Sequence, residues 1–238
     1  QGRTEQLIAV DAWGLKVRDR IELGEDLHVA HVVIAGQRAL VTAYDADAVL
    51  VVDLDGLAVE RSIPLPSGTS PHGARLTPDG ATLVVAGMGD GSLHLVGVAD
   101  GTVTSYDLPG RAVQAAVLPD ATAVFASVYD TRQVARMDLQ SRELVLFDLP
   151  AGAAGPVQIY PTPDSRHLWV ADQGLVDDDP AGESLYRLDV ITGAVDLVAA
   201  VSAGTHGVVV NGDGTRVWTT TLAEGTVQSV DAATGPVL

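Results

Sequence analysis

The chain has 238 residues, of which 47% are hydrophobic and 19% charged, so it can bury a core and is too poor in charge for a typical disordered chain. Its formal net charge is −17 and its one lysine is Lys16, which excludes a basic surface, so we expect no nucleic-acid partner. Cysteine is absent, which excludes disulfides, thiolate nucleophiles and Cys-type zinc sites. No apolar run reaches about 18 residues, so no membrane span is predicted.

One short pattern recurs along the chain: an alternating apolar strand, then usually Asp, then a turn. The six aligned positions are Asp11, Asp53, Gly97, Asp138, Asp189 and Asp231. They are separated by 42, 44, 41, 51 and 42 residues, and a period near 40–45 residues is typical of propeller blades with four strands each. The sequence therefore predicts an all-β chain, a β-propeller of four-stranded blades with six or seven blades.

A second pattern lies between these copies and completes the blade. It reads SPHGARLTPDGATLVVAG from Ser70 and GTHGVVVNGDGTRVWTTT from Gly204, a hairpin of strands A and B with a turn of Asp and Gly at its tip. We predict a single propeller domain over residues 1–238. Its blades are 1–27 (partial), 28–69, 70–110, 111–154, 155–203 and 204–238 (partial). The ring looks incomplete, and we favour a longer chain over irregular closure by the two termini.

The repeats resemble those of the bacterial YVTN/YncE-like propellers, which are related to the cytochrome d1 type of propeller. The segments that carry the resemblance are SPHGARLTPDGATLVVAG, GPVQIYPTPDSRHLWVADQG and THGVVVNGDGTRVWTTTLAEGTVQSVDAATG. The resemblance covers nearly the whole chain and implies the fold. It does not select a function, because such repeats serve redox enzymes, lyases, metal-handling proteins and binding scaffolds. It implies export, so we expect a periplasmic or secreted protein.

Aligning the blades on the hairpin tip places one equivalent residue at the start of each strand A. Blades two to six hold there His28, His72, Val113, Val157 and His206. Strand A is the innermost strand of a propeller blade, so these residues should ring the mouth of the central channel. Converging neutral imidazoles suit Zn(II) or Cu(II), and the acidic protein would favour a cation there. We therefore predict His28, His72 and His206 as metal ligands.

Three further polar residues are predicted as ligand-binding groups at the same mouth. Gln114 and Gln158 each follow one of the valines, and His31 lies three residues after His28. The alternative is structural: the PHG and THG triplets begin an inner strand, and each His bonds to the backbone of a neighbouring blade or to water in the channel. The Asp residues after strand C are expected to accept backbone N–H groups in the following turn.

An acidic insert is the longest irregular segment, and it could bind Ca(II) through its carboxylates, although the spacing is not that of an EF-hand. Its acidic residues are Asp177, Asp178, Asp179 and Glu183. The alternative is that these carboxylates are solvated in a surface loop that binds no ion.

Three functions remain open at this stage. The first is an exported binding protein that holds a divalent metal ion or a small polar molecule at the channel mouth. The second is an enzyme, a lyase or lactonase-type hydrolase, with a channel-mouth His as general base. The third is a scaffold that binds a protein partner through its rim loops, with residues 175–184 as the most distinctive surface.

Overall fold

The structure, a computed structural model, describes residues 4–175 and 179–238. It consists of 21 antiparallel strands in six sheets, with one 3₁₀ turn at Tyr44–Ala46. The prediction of an all-β propeller with four-stranded blades is confirmed. Among the described residues, no helix has the length and hydropathy needed to cross a membrane.

The sheets follow one another along the chain, and each pairs its strands in sequence order. The first sheet has two strands, β1 (Thr4–Val10) and β2 (Val17–Glu25). The second has β3 (Val29–Ala35), β4 (Arg38–Ala43), β5 (Ala48–Asp53) and β6 (Ala58–Pro64). The third has β7 (Pro71–Leu76), β8 (Thr82–Gly87), β9 (Ser92–Gly97) and β10 (Val103–Asp107).

The remaining sheets repeat this order. The fourth has β11 (Ala112–Val117), β12 (Ala123–Val128), β13 (Gln133–Asp138) and β14 (Leu144–Asp148). The fifth has β15 (Pro156–Pro161), β16 (His167–Gly174), β17 (Ala181–Asp189) and β18 (Val195–Ala200). The last has three described strands, β19 (Thr205–Val210), β20 (Arg216–Thr221) and β21 (Thr226–Asp231).

The hydrophobic core lies between successive blades rather than within one layer. The faces of blades three and four share a cluster that includes Val84, Leu93 and Val124, all fully buried. Equivalent clusters lie between the blades of all the other successive pairs. Because a blade buries its face only against the next one, the apolar B and C strands read as continuous hydrophobic runs.

The two ends of the ring expose surface that the inner blades bury. Trp169 on β16 is 0% exposed because blade six covers it. Trp218 occupies the matching position on β20 and is 41% exposed, since no described strand packs on that face. Trp169 therefore packs between blades five and six, whereas Trp218 lies half-exposed at the open end.

The aspartates that follow the C strands close the next turn, as expected. Asp138 accepts the backbone N–H of Ser141 at 2.8 Å, and Asp189 accepts that of Thr192 at 2.8 Å. These backbone bonds hold the pKa of each carboxyl below its usual value. The recurrent Asp is thus explained by the turn, and it needs no catalytic role.

Candidate functional site

The first strands of blades two to six contact one another in order, β3 with β7, β7 with β11, β11 with β15 and β15 with β19. They surround the axis, and we call the end where they begin the channel entrance and the end where they finish the channel exit. Each of these strands carries a register shift against its B strand near its start. Such β-bulges re-aim side chains, and in four blades they hold the residues that sequence alignment singled out. These are His72, Gln114, Gln158 and His206.

A hydroxyl on strand B holds several of these bulges against the next blade. Thr42 Oγ1 accepts the N–H of His31 at 2.9 Å and donates to the carbonyl of His72 at 2.8 Å. In blade four, Ser127 Oγ accepts the N–H of Gln114 at 3.1 Å and donates to the carbonyl of Val157 at 2.6 Å. The backbone groups freed by the bulge are therefore satisfied, and the entrance residues sit on a hydrogen-bonded frame.

His72 and His206 share one orientation. Nδ1 of His72 lies 2.9 Å from the carbonyl oxygen of Val113, and Nδ1 of His206 bonds to the side-chain oxygen of Gln173. A carbonyl oxygen only accepts, so each Nδ1 carries the proton and each Nε2 keeps its lone pair. No described residue hydrogen-bonds to Nε2 of either ring. Both rings therefore offer an acceptor nitrogen at the entrance.

The electrostatics keep these two imidazoles neutral. Burial lowers the pKa of His72, with a smaller effect from His28 and a hydrogen bond to Val113 that opposes it. Burial also lowers the pKa of His206, and a positive charge on His72 would lower it further. At neutral pH each ring is therefore a base and an acceptor rather than a cation.

His28 lies at the exposed rim of the channel entrance. Its side chain is 65% exposed, with Nδ1 3.9 Å from Asp45 Oδ1. The ring of Tyr44 lies 4.9 Å from the His28 ring and 6.5 Å from the His72 ring, centroid to centroid. Tyr44 therefore lies against both rings, and His28 also lines a small acidic recess with Glu5 and Asp45. Among residues 4–175 and 179–238, no three His, Asp or Glu side chains are arranged to hold a metal ion.

The other predicted ligand-binding residues bond mainly to the protein. Gln114 is fully buried, and its Nε2 donates to Gln158 Oε1 at 2.6 Å. The bonded pair links the inner strands of blades four and five. His31 accepts a hydrogen bond at Nε2 from Arg75 Nη1 at 2.6 Å, a contact that the repeat pattern does not predict. Gln158 and His31 are partly exposed, whereas Gln114 is not.

His94 and Asp179 carry titratable side chains whose hydrogen bonds and ion pairs are with other residues of the protein. His94 is fully buried within blade three and bonds through Nε2 to Ser92 at 2.6 Å and through Nδ1 to Ser105 at 2.8 Å. It is therefore a packing residue of blade three. In the acidic insert, Asp177 and Asp178 lie outside the described residues, while Asp179 pairs with Arg132 at 2.9 Å.

Stability is expected to fall as pH is lowered from 7 to 5. Burial, followed by the charges of Arg75 and His72, lowers the pKa of His31 to about 4, and burial lowers the pKa values of His72 and His206. Unfolded histidines bind protons near pH 6.5, so between about pH 6.5 and 4 protonation favours the unfolded state. Carboxylates with lowered pKa values lose their contribution to the stability of the folded state only below about pH 4.

Thermal denaturation across this pH range measures the effect. The Tm should decrease steadily from pH 7 to 5, and the decrease should be smaller in His31→Gln, whose amide oxygen can still accept from Arg75. An equal Tm at the two pH values would contradict this account.

Four-stranded antiparallel blades around a shared axis, with polar groups at one mouth, define the class of protein as a β-propeller. No known family profile matches the chain, and no curated protein matches it. Similar solved structures are propeller proteins. Virginiamycin B lyase from Staphylococcus aureus matches with 17% identity over 98% of this chain and 76% of that chain, at a TM-score of 0.82. A catalytically inactive variant of that lyase, with a histidine replaced by alanine and with quinupristin, matches at a TM-score of 0.78.

Two further matches extend the comparison. Kuenenia stuttgartiensis hydrazine synthase shares 16% identity over 86% of this chain and 66% of that chain, with a TM-score of 0.72. The propeller domain of Myceliophteria thermophila Cps50 shares 15% identity over 86% of this chain and 65% of that chain, with a TM-score of 0.71. The chain thus spans just under two thirds of these two proteins. The TM-scores establish the propeller fold, whereas identities this low do not show that the function is shared.

Proposed function

We propose that the protein binds a small polar molecule at the channel entrance, through hydrogen bonds to Nε2 of His72 and His206. The observation that carries the proposal is the shared orientation of the two rings. Each Nδ1–H is occupied by an oxygen of the protein, and each Nε2 is left as an acceptor. A ligand with two donor groups, such as hydroxyl or amide N–H, complements a pair of neutral imidazoles.

A divalent metal ion, Zn(II) or Cu(II), is the other ligand that this orientation suits. Metal-bound imidazoles usually donate their second N–H to an oxygen, which is the arrangement at His72 and His206. Two imidazoles would still need further ligands, and His28 lies against Tyr44 and Asp45 instead. We therefore place the small polar molecule ahead of the metal.

A second candidate function is that of an enzyme, a lyase or a lactonase-type hydrolase. A neutral imidazole with a free Nε2, fixed by a hydrogen bond at Nδ1, can act as a general base. A fold neighbour is virginiamycin B lyase, whose His-to-Ala variant is catalytically inactive, and this favours testing the same chemistry here. A scaffold role through the rim loops is the third candidate, and a Cps50 propeller domain is among the fold neighbours.

We also propose, from the repeat resemblance, that the chain is a YVTN/YncE-like protein exported to the periplasm or the medium. The acidic composition suits a binding site for neutral or cationic ligands. Separating the periplasmic and cytoplasmic fractions of a bacterium that expresses the full gene would test the location.

The binding proposal is tested by calorimetry with a panel of neutral polyols and small amides, and with ZnCl₂ and CuSO₄ in parallel. A saturable neutral ligand should lose at least about tenfold in affinity in the double variant His72→Ala/His206→Ala, since each lost acceptor leaves a ligand donor unpaired. His167→Ala, on β16 beside a hairpin tip, is the matched control and should bind normally. Unchanged affinity in the double variant would overturn the proposal.

The alternatives give different results in the same experiment. If metal binding is saturable and depends on both histidines, and no neutral molecule binds, the ligand of this site is a metal ion rather than a small polar molecule. For the enzyme candidate, quinupristin is incubated with the protein and the products are separated. A product formed by the wild type and absent with His206→Ala would establish turnover. If the wild type forms no product, the result counts against the lyase.

A further inference from the structure

A cavity of about 380 Å³ lies at the channel exit, at the opposite ends of the inner strands from His72 and His206. The ends of β7, β11, β15 and β19, with the turns that follow, form its wall. The residues that matter to the argument are Arg75, Tyr160 and Asn211 with Pro119, Pro161 and Pro163. Its volume is within the range of small-molecule sites, and its lining is apolar around a few polar groups.

Arg75 is the one cation among the residues that line this cavity, and half of its guanidinium is held by the protein. Nη1 donates to the carbonyl of Ala74 at 2.9 Å and to Nε2 of His31 at 2.6 Å. His31 fixes the orientation of the guanidinium, because its unprotonated Nε2 acts only as an acceptor. Nε and Nη2 have no hydrogen-bond partner among the described residues. Neither is among the fully buried unpartnered atoms, so both reach accessible space.

The free atoms form a bidentate edge. Nε–H and Nη2–H of an arginine point in parallel and match the two oxygens of a carboxylate. No carboxylate of residues 4–175 or 179–238 pairs with Arg75, although other arginines pair with aspartates, as Arg187 does with Asp196 at 2.8 Å. Burial lowers the pKa of Arg75 and Tyr160 opposes this, which leaves a cation in a protein that is otherwise strongly acidic.

We propose that the exit cavity is a binding site for a small organic monocarboxylate, with the carboxylate on the Nε–Nη2 edge of Arg75 and the organic group between Tyr160 and the three prolines. The proposal concerns the opposite end of the channel and stands apart from the function proposed for His72 and His206. It also gives His31 a different role from the predicted one, since His31 would position the guanidinium rather than touch the ligand.

The number of charges favours a monocarboxylate over phosphate. One guanidinium balances one negative charge, and a second charge would remain uncompensated in a partly buried site. The field of a chain with net charge −17 repels dianions and polyanions most strongly. The proline and tyrosine lining gives binding energy only to a ligand with an apolar portion.

Benzoate, acetate and inorganic phosphate are the probes for this site, titrated at pH 7 while the side-chain Nε–H signals of ¹⁵N-arginine are recorded. Benzoate should shift the Arg75 signal saturably and bind more tightly than acetate. The signal is assigned by its absence in Arg75→Lys. We expect the affinity for benzoate, measured by calorimetry on the wild type and the variant, to fall at least about tenfold in Arg75→Lys, which keeps the charge and loses the bidentate edge.

Arg142→Gln, a change at an exposed arginine on a C–D turn, is the control and should bind benzoate as the wild type does. Thermal denaturation of each variant checks that it is folded, and the calorimetric titration of the wild type with benzoate needs no variant. A benzoate-insensitive Arg75 signal would overturn the proposal. Phosphate binding as tight as benzoate binding would overturn the assignment to monocarboxylates.

Discussion

Replacing Asp172 by alanine is expected to lower the free energy of unfolding by about 3 kcal/mol, because buried donors lose a charged acceptor. Asp172 is 2% exposed on β16. Its carboxylate accepts the backbone N–H groups of Ala154 at 2.9 Å and Gly155 at 2.7 Å, and the hydroxyl of Tyr186 at 3.1 Å. Burial, followed by the charge of Asp172, raises the pKa of Tyr186 to about 12, so this hydroxyl stays a donor.

Thermal denaturation gives the readout, and a loss of this size should lower the Tm by about 6–12 °C for a chain of this length. Asp100→Ala is the matched control. Its carboxylate also bonds to a backbone N–H and a hydroxyl, both from Thr102, but in an exposed turn where water replaces it. Equal losses in the two variants would show that burial of Asp172 adds nothing.

Replacing Gly73 by alanine is expected to force the inner strands of blades three and four apart. A Cβ at this position would lie 2.6 Å from the Cα of Gln114, which is backbone and cannot rotate away. The strain of such overpacking costs about 1–3 kcal/mol. Gly73 follows His72 directly, so the same shift should also weaken binding at the channel entrance.

Gly212→Ala is the control for this prediction. A Cβ there meets no atom within 4 Å, and its backbone is not in the left-handed region. We expect a change within about 0.5 kcal/mol, measured by urea denaturation of both variants. A Gly73→Ala protein as stable as the wild type would mean that β7 and β11 are less closely packed than the structure has them.

The repeat was sufficient to predict the blade, because the same turn chemistry and the same apolar strands recur at a nearly constant period. It also identified the position at the start of strand A, since aligned residues of a propeller occupy equivalent places around the axis. The repeat does not predict which side chains form hydrogen bonds with these residues. Gln173 is on the B strand of blade five and reaches His206 in blade six, and no pattern in the sequence links the two.

Equivalence of position did not imply equivalence of environment. His28, His72 and His206 align in the sequence, yet Tyr44 and Asp45 of the following 3₁₀ turn contact His28, which lies exposed at the rim. Arg75 was not singled out because an arginine near a hairpin tip usually lies in solvent. Its contact with His31 depends on the bulge in β3, which sequence reasoning did not predict.

The most direct test of the account is the tautomer of His72 and His206 at pH 7, read from long-range ¹H–¹⁵N spectra of the folded protein. The account predicts neutral rings protonated at Nδ1, with Nε2 signals that shift when a ligand binds at the channel entrance. Rings protonated at Nε2, or charged at this pH, would contradict it, because no acceptor nitrogen would then face the channel.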